Sequence, residues 1–233
     1  MAYPQFVEDL QNIRWFYTWG SCSNISNDYL YKCVPMFRPG ISPIGFDESY
    51  SGYLLVFNEP DKINQDNLYP EEAVQIYIAL KMAMPNAKMI VGNTTAITGI
   101  DWLMQFYYLC KSNINCVMPE LWGFHGYLEG FIDSQELIAR INYIHSKIGG
   151  KFWITEWANT NGFSEVSILE ANAMVSFLNS TPWIERWAWF TNRIKGDEPS
   201  SSWPTYWNPC WLWDYNTGEL TNWGAWFFSE VLL

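Results

Sequence analysis

Short unbroken apolar runs alternate along this chain with stretches in which apolar residues recur at helical spacing. Tyr53 to Phe57 is one such run, and it stops at Asn58-Glu59-Pro60-Asp61. A run of this kind reads as a strand buried on both faces, as in a parallel sheet. Pro60 prevents its ladder from continuing. Lys151 to Ala158 repeats the arrangement around Glu156. Further strands are predicted at Ile13–Trp19, Val34–Arg38 (stopped by Pro39-Gly40), Lys88–Gly92, Leu121–Tyr127 and Trp187–Phe190.

Helical spacing fills the intervals. Pro70-Glu71-Glu72 opens a helix with acids in its first turn, and Ala73, Tyr77, Leu80 and Met84 line one face before Pro85 ends it. A second helix spans about 101–110, with Leu103, Phe106 and Cys110 on one side. Asp133 or Ser134 caps a third, whose inner face is Leu137, Ile141, Ile144 and Ile148, and Gly149-Gly150 closes it. Residues 164–179 form another amphipathic helix, and 220–231 a closing one.

Alternation of strands and helices without a linker or repeat implies a parallel sheet with helices outside it. An open doubly wound sheet usually carries a glycine-rich phosphate loop after its first strand. Here that position reads Trp-Gly-Ser-Cys-Ser-Asn. The expectation is therefore an α/β fold of the compact (β/α)8 barrel type, one catalytic domain over residues 1–233, with one strand–helix unit near the N-terminus abbreviated. In that fold reactive residues gather at the C-terminal strand ends, where Glu59, His125, Tyr127, Glu156 and Trp189 all fall.

Composition narrows the partners. The net charge of −11 argues against nucleic acid and anionic membranes, which need basic patches. No apolar run reaches membrane-spanning length. Aromatic residues make up 18% of the chain, with 15 Trp, more than one core needs. Flat apolar platforms for sugar rings account for the excess. Trp203, Trp207, Trp211 and Trp213 lie in polar, Pro-containing sequence and read as such platforms rather than as loop packing, whereas Trp15, Trp102 and Trp153 read as core.

Among the five Cys, the close pairs Cys22/Cys33 and Cys110/Cys116 would bridge in a secreted protein, and five buried thiols is an equal reading. With two His and no Cys-x-x-Cys, neither a metal site nor a cofactor is expected. The N-terminus is polar and shows no signal peptide, as a mature secreted chain would. Asn24, Asn93 and Asn179 begin glycosylation sequons.

Two carboxylates in one cleft can cut a glycosidic bond, one protonating the leaving oxygen while the other attacks the anomeric carbon or activates water. On spacing alone, two solvated loop acids would be the plainer reading. The residues themselves go further. Asn58-Glu59-Pro60 at one strand end and Thr155-Glu156-Trp157 at another resemble clan A of the retaining glycoside hydrolases. Leu54 to Asp61 with Gln65, Phe16 to Gly20, Val34-Pro-Met36, Gly123 to Tyr127, Trp153 to Trp157 and Arg186 to Phe190 together resemble family 128 of the glycoside hydrolases.

That resemblance implies a small (β/α) barrel acting on β-1,3-glucan without a cofactor, with Glu59 as acid/base and Glu156 as nucleophile. It implies that Asn58 binds the hydroxyl beside the attacked carbon and that His125 and Tyr127 orient the nucleophile or the sugar. Trp189, rather than Trp187, would floor the site. Trp19, Gln65, Trp157, Trp203 and Trp207 join the substrate-binding set. Gln65 and Asp61 could equally brace the loop after Asn-Glu-Pro. The expected enzyme is a secreted, monomeric endo-β-1,3-glucanase. An exo-acting enzyme, another clan A β-glycanase, and a β-1,3-glucan-binding protein with little turnover are its rivals.

Overall fold

The computed structural model describes residues 13–23, 25, 27–40, 48–191, 210–214, 217 and 219–231. Six parallel strands lie side by side in chain order: β3 (Met36–Phe37), β4 (Tyr53–Val56), β5 (Lys88–Thr94), β6 (Leu121–Leu128), β7 (Lys151–Asn159) and β8 (Ile184–Trp189). A separate parallel pair joins β1 (Phe16–Tyr17) to β2 (Cys33–Val34). The strand predicted over Val34–Arg38 is thus divided at Pro35, which has no N–H to give a ladder. Before it the chain pairs with β1, and after it with β4, whose Leu55 N–H donates to the Pro35 carbonyl at 3.0 Å.

Helices α2 (Pro70–Ala83), α3 (Gly99–Ser112), α4 (Ser134–Ile148) and α5 (Glu165–Ser180) connect β4 through β8 in turn. Their ends follow the chemistry of their sequence. Pro70 opens α2, and the Glu72 carboxylate accepts the Tyr69 N–H at 3.1 Å. Asp133 caps α4 by accepting the Glu136 N–H at 2.8 Å, and Gly149 leaves it at φ 63°. Ser164 caps α5 through the Ser167 N–H. Among the described residues, the elements before β4 are short. A four-residue helix, α1 (Asn27–Leu30), separates β1 from β2, and no helix joins β3 to β4 among the described residues. At the C-terminus, α6 (Asn222–Trp226) runs into a π-helical turn, Phe227–Val231.

Because successive strand residues alternate faces, the sheet builds two cores. Leu54 and Val56 face the helices in the larger one. Leu55 belongs to a smaller cluster with Trp15, Val34, Met36, Ile90, Leu121 and Trp153, against which Ala188 packs. Every strand, or a residue beside it, contributes to that cluster. No ladder joins β8 to β1 among the described residues. The two ends approach through side chains instead. The Arg186 guanidinium lies 4.5 Å from the Tyr53 and Trp153 ring centroids and 5.9 Å from Trp15, and Trp15 packs on Trp153 at 4.9 Å.

Both close cysteine pairs form disulfides. Cys22–Cys33 ties the loop after β1 to β2, and Cys110–Cys116 holds the turn after α3. Cys210 is a buried thiol outside both. The fold leaves no room for a glycan at the Asn93 sequon: its side chain is fully buried and its amide is hydrogen-bonded to Val56, Phe57 and Thr155. Asn179 is exposed, and Asn24 lies outside the described residues.

Candidate active site

The C-terminal ends of β4, β6 and β7 bring Glu59, His125, Tyr127 and Glu156 together. On β6, alternation puts Gly123, His125 and Tyr127 on one face. On β7 alternation alone would fail. Trp153 lies in the inner cluster, so a regular strand would turn Glu156 toward the helices three residues later. The β6–β7 register shifts there: Phe124 pairs with Ile154 and His125 with Glu156, leaving Thr155 as one extra residue. This bulge re-aims the carboxylate inward, a use of bulges common beside active sites.

His125 stands between the two glutamates. Its Nδ1 is 3.0 Å from Glu59 Oε1 and 3.3 Å from Glu156 Oε2. The imidazole is fully buried, and the carboxylate side chains are 6% (Glu156) and 17% (Glu59) exposed, so Glu59 is the one open to a ligand. One oxygen of each glutamate and a His125 nitrogen all lie within 4.8 Å of one another. Such a trio could also ligate a cation. The nitrogen that would bind it is the one facing both carboxylates, so metal and hydrogen bond exclude each other.

Two phenols complete the nucleophile candidate's surroundings. Tyr17 donates to Glu156 Oε1 at 2.5 Å, and Tyr127 donates to Oε2. Charge-assisted bonds to both oxygens fix the plane of the carboxylate. Burial, and then the Glu156 charge, hold both phenols well above their ordinary pKa, so each remains a donor. Burial works to lower the His125 pKa, but Glu156 and Glu59 outweigh it and raise it. Burial would raise the Glu59 pKa, yet the hydrogen bond and charge of His125, with Lys62 and Arg38, lower it. His125 thus stands between two carboxylates, a site that suits a substrate developing positive charge as it reacts.

The backbone under Glu59 is held in unusual conformations. Phe57 (φ 72°), Glu59 (φ 43°) and Asn93 (φ 49°) are all left-handed without being glycine. Such positions cost on the order of 1–3 kcal/mol each and persist where the surroundings impose them. Here the surroundings are specific. The Glu59 N–H donates to the Asn93 carbonyl at 2.9 Å. The Asp66 carboxylate takes the Asn58 N–H and the Arg38 Nε–H, each at 2.7 Å. Asp61 accepts from the Thr95 backbone and from the Thr95 and Thr98 hydroxyls.

The other residues singled out by sequence divide. Asn58 gives its Nδ2 to Gln65 at 3.1 Å, while its Oδ1 is buried with no partner, an acceptor for a hydroxyl. Exposed Gln65 accepts from Asn58 and from Arg38 at 3.2 Å, so it braces. Trp19 is half-buried beside Tyr17 and Phe190. Trp157 is fully buried and contributes support, with no face for a sugar. Trp189 packs on Trp157, Trp223, Trp226 and Phe227 and gives its indole N–H to the Cys210 carbonyl at 2.8 Å, which seats it in the larger core. Trp187 donates to Asn179 on α5, away from the carboxylates.

Trp211 and Trp213 pack against the larger core, which favours loop packing over a platform for these two. Trp203 and Trp207 lie outside the described residues. Sequence reasoning missed Tyr17, Asn93 and Thr155. Tyr17 was within reach: Trp15, Tyr17 and Trp19 alternate on one face of a strand. Asn93 and Thr155 carry no local signal, because bulges aim them.

The chain matches the model of the family described as glycosyl hydrolase catalytic core over residues 3–227. No curated protein matches. Solved structures share the fold. An endo-β-1,3-glucanase of glycoside hydrolase family 128, subgroup I, from Amycolatopsis mediterranei, in complex with laminaritriose and laminaribiose, aligns with TM-score 0.73 at 20% identity, over 98% of this chain and 96% of that one. A subgroup II endo-β-1,3-glucanase from Sorangium cellulosum aligns at 0.64 and 21% identity, over 94% and 90%. A subgroup VI exo-β-1,3-glucanase from Aureobasidium namibiae aligns at 0.67 and 17% identity, over 92% and 84%. With the family match spanning nearly its whole length, this chain belongs to the glycosyl hydrolase catalytic core family.

Proposed function

We propose that this protein is a retaining endo-β-1,3-glucanase of glycoside hydrolase family 128, with Glu59 as acid/base and Glu156 as nucleophile. The observation that carries the reading is that one oxygen of Glu59 and one of Glu156 lie within 4.8 Å of each other. A retaining pair needs about 5–5.5 Å, and an inverting pair needs about 6.5–9.5 Å to admit water. The scaffold for this chemistry is a small (β/α) barrel, whose closing contact is the stack of Arg186 on Tyr53, Trp153 and Trp15.

Glu156, held by Tyr17 and Tyr127, attacks the anomeric carbon while Glu59 protonates the departing oxygen. Asn58 Oδ1 accepts the hydroxyl of the neighbouring carbon. That step leaves Glu59 deprotonated, 3.0 Å from His125 Nδ1. Glu59 then takes a proton from water, and the hydroxide frees the sugar and releases Glu156. Two disulfides support a secreted location.

Digestion of linear β-1,3-glucan by the wild type and by Glu156→Gln tests the proposal, with mannan and β-1,4-glucan alongside. Short mixed oligosaccharides that vanish in the variant are expected. One small product from the start would mean exo action, the mode of the Aureobasidium namibiae relative. Cleavage of mannan or β-1,4-glucan alone would move the substrate. Tight oligosaccharide binding without product would refute the enzyme and leave a lectin-like protein.

A further inference from the structure

Two bulges, on strands that are not neighbours, send side chains to the same point. On β5 the register shifts between Gly92 and Thr94, leaving Asn93 as the extra residue. On β7 the extra residue is Thr155. β6 runs between them. The Thr155 hydroxyl nevertheless donates to Asn93 Oδ1 at 2.9 Å, crossing over β6 at Gly123. The crossing is possible only because Gly123 has no side chain: a Cβ there would lie 2.1 Å from Asn93 Oδ1 and 2.6 Å from its Cγ.

The other end of the same amide reaches β4. Asn93 Nδ2 donates to the carbonyls of Val56 (3.2 Å) and Phe57 (3.0 Å), and the Asn93 carbonyl receives the Glu59 N–H. Asn93 and Thr155 are both fully buried. One side chain thus links the backbone that carries Glu59 to the residue adjoining Glu156, and the left-handed turns at Phe57 and Glu59 lie within its grip.

We propose that Asn93, locked by Thr155 across Gly123, is a positioning residue that sets the spacing of Glu59 from Glu156 and holds Glu59 on its leaving-group side. This rests on the retaining-hydrolase reading for its kinetic consequence, and on geometry alone for its structural one. A displacement near 1 Å at a catalytic group can cost on the order of 100-fold in rate. The loss falls on steps that need Glu59. It spares glycosyl-enzyme formation from an aryl glycoside whose leaving group needs no proton.

The test compares wild type, Asn93→Ala, Thr155→Val and Thr155→Ser on β-1,3-glucan and on a 2,4-dinitrophenyl β-1,3-glucoside, with azide as an added nucleophile. Thr155→Val is nearly isosteric and keeps the fold if Asn93→Ala does not. For Asn93→Ala and Thr155→Val, kcat on glucan is expected to fall about 100-fold with KM little changed. The dinitrophenolate burst is expected to persist, with azide restoring turnover, and Thr155→Ser to recover the glucan rate. Equal losses on both substrates without azide rescue, or no loss on glucan, would overturn the proposal. If the wild type turns over neither substrate, the hydrolase reading fails by itself. Carbon-13 NMR of glutamate carboxyls, with Glu59 assigned by Glu59→Gln, then decides the clamp. In Thr155→Val the Glu59 titration should move up toward its ordinary value as the contact with His125 loosens, and an unmoved titration would overturn it.

Discussion

Gly123→Ala should be among the most destabilising small substitutions in this protein. The new Cβ would sit 2.1 Å from Asn93 Oδ1 and 2.9 Å from the Asn93 backbone nitrogen. Because backbone is involved, turning the amide alone gives incomplete relief. Displacing that amide removes three buried hydrogen bonds: from Nδ2 to the Val56 and Phe57 carbonyls, and from Thr155 to Oδ1. At about 1 kcal/mol net for each bond, that loss is about 3 kcal/mol. Overpacking adds roughly 1–3 kcal/mol. The stiffer unfolded chain returns about 0.4–1 kcal/mol. A net cost of about 3–5 kcal/mol follows. Gly126→Ala is the comparison, since its Cβ meets only the flexible tip of Leu137 at 3.0 Å, and it should cost about 1 kcal/mol. Urea unfolding followed by tryptophan fluorescence measures both. In a double-mutant cycle with Asn93→Ala, the clash with the amide disappears and only the 2.9 Å approach to the Asn93 backbone nitrogen remains, so the two losses should fall short of additive. The reasoning is refuted if Gly123→Ala costs no more than Gly126→Ala, or if the two losses add.

Other expectations concern charge and cross-links. The raised pKa of His125 in the folded protein means that its ion pairs stabilise most below its unfolded value, and that this stability is lost as pH rises through the folded pKa. The Tm advantage of wild type over His125→Gln should therefore shrink from mildly acidic to alkaline pH, and an advantage that grows with pH would contradict it. The paired change Cys22→Ser with Cys33→Ser opens an 11-residue loop and should cost about 3 kcal/mol in urea unfolding. After expression in a glycosylating host, peptide mapping should find Asn93 unmodified, since it is fully buried.

Much of this protein was legible in one dimension. Strand and helix positions from Tyr53 onward follow from apolar periodicity, because each buried element must present its own apolar face wherever it packs. The helix ends at Pro70, Asp133 and Gly149 follow from local chemistry. Glu59 and Glu156 could be singled out because a carboxylate ending an apolar strand is conspicuous without tertiary contacts. Pro35 marked a break, but which strand each half would join depends on pairing partners far along the chain.

What the tertiary structure alone decided is how those pieces face one another. A bulge inserts one residue into one strand relative to its neighbour, a relation between strands that no single run of residues encodes. That is why Thr155, which turns Glu156 inward, and Asn93, which grips the Glu59 backbone, look ordinary in sequence. It is also why Trp157, which sequence placed in the substrate-binding set, turns out to be fully buried. The Arg186 stack, His125 between two glutamates, and the two phenols on Glu156 belong to the same class. Each joins residues far apart in the chain, so each exists only once the hydrophobic cores have set the strands in place.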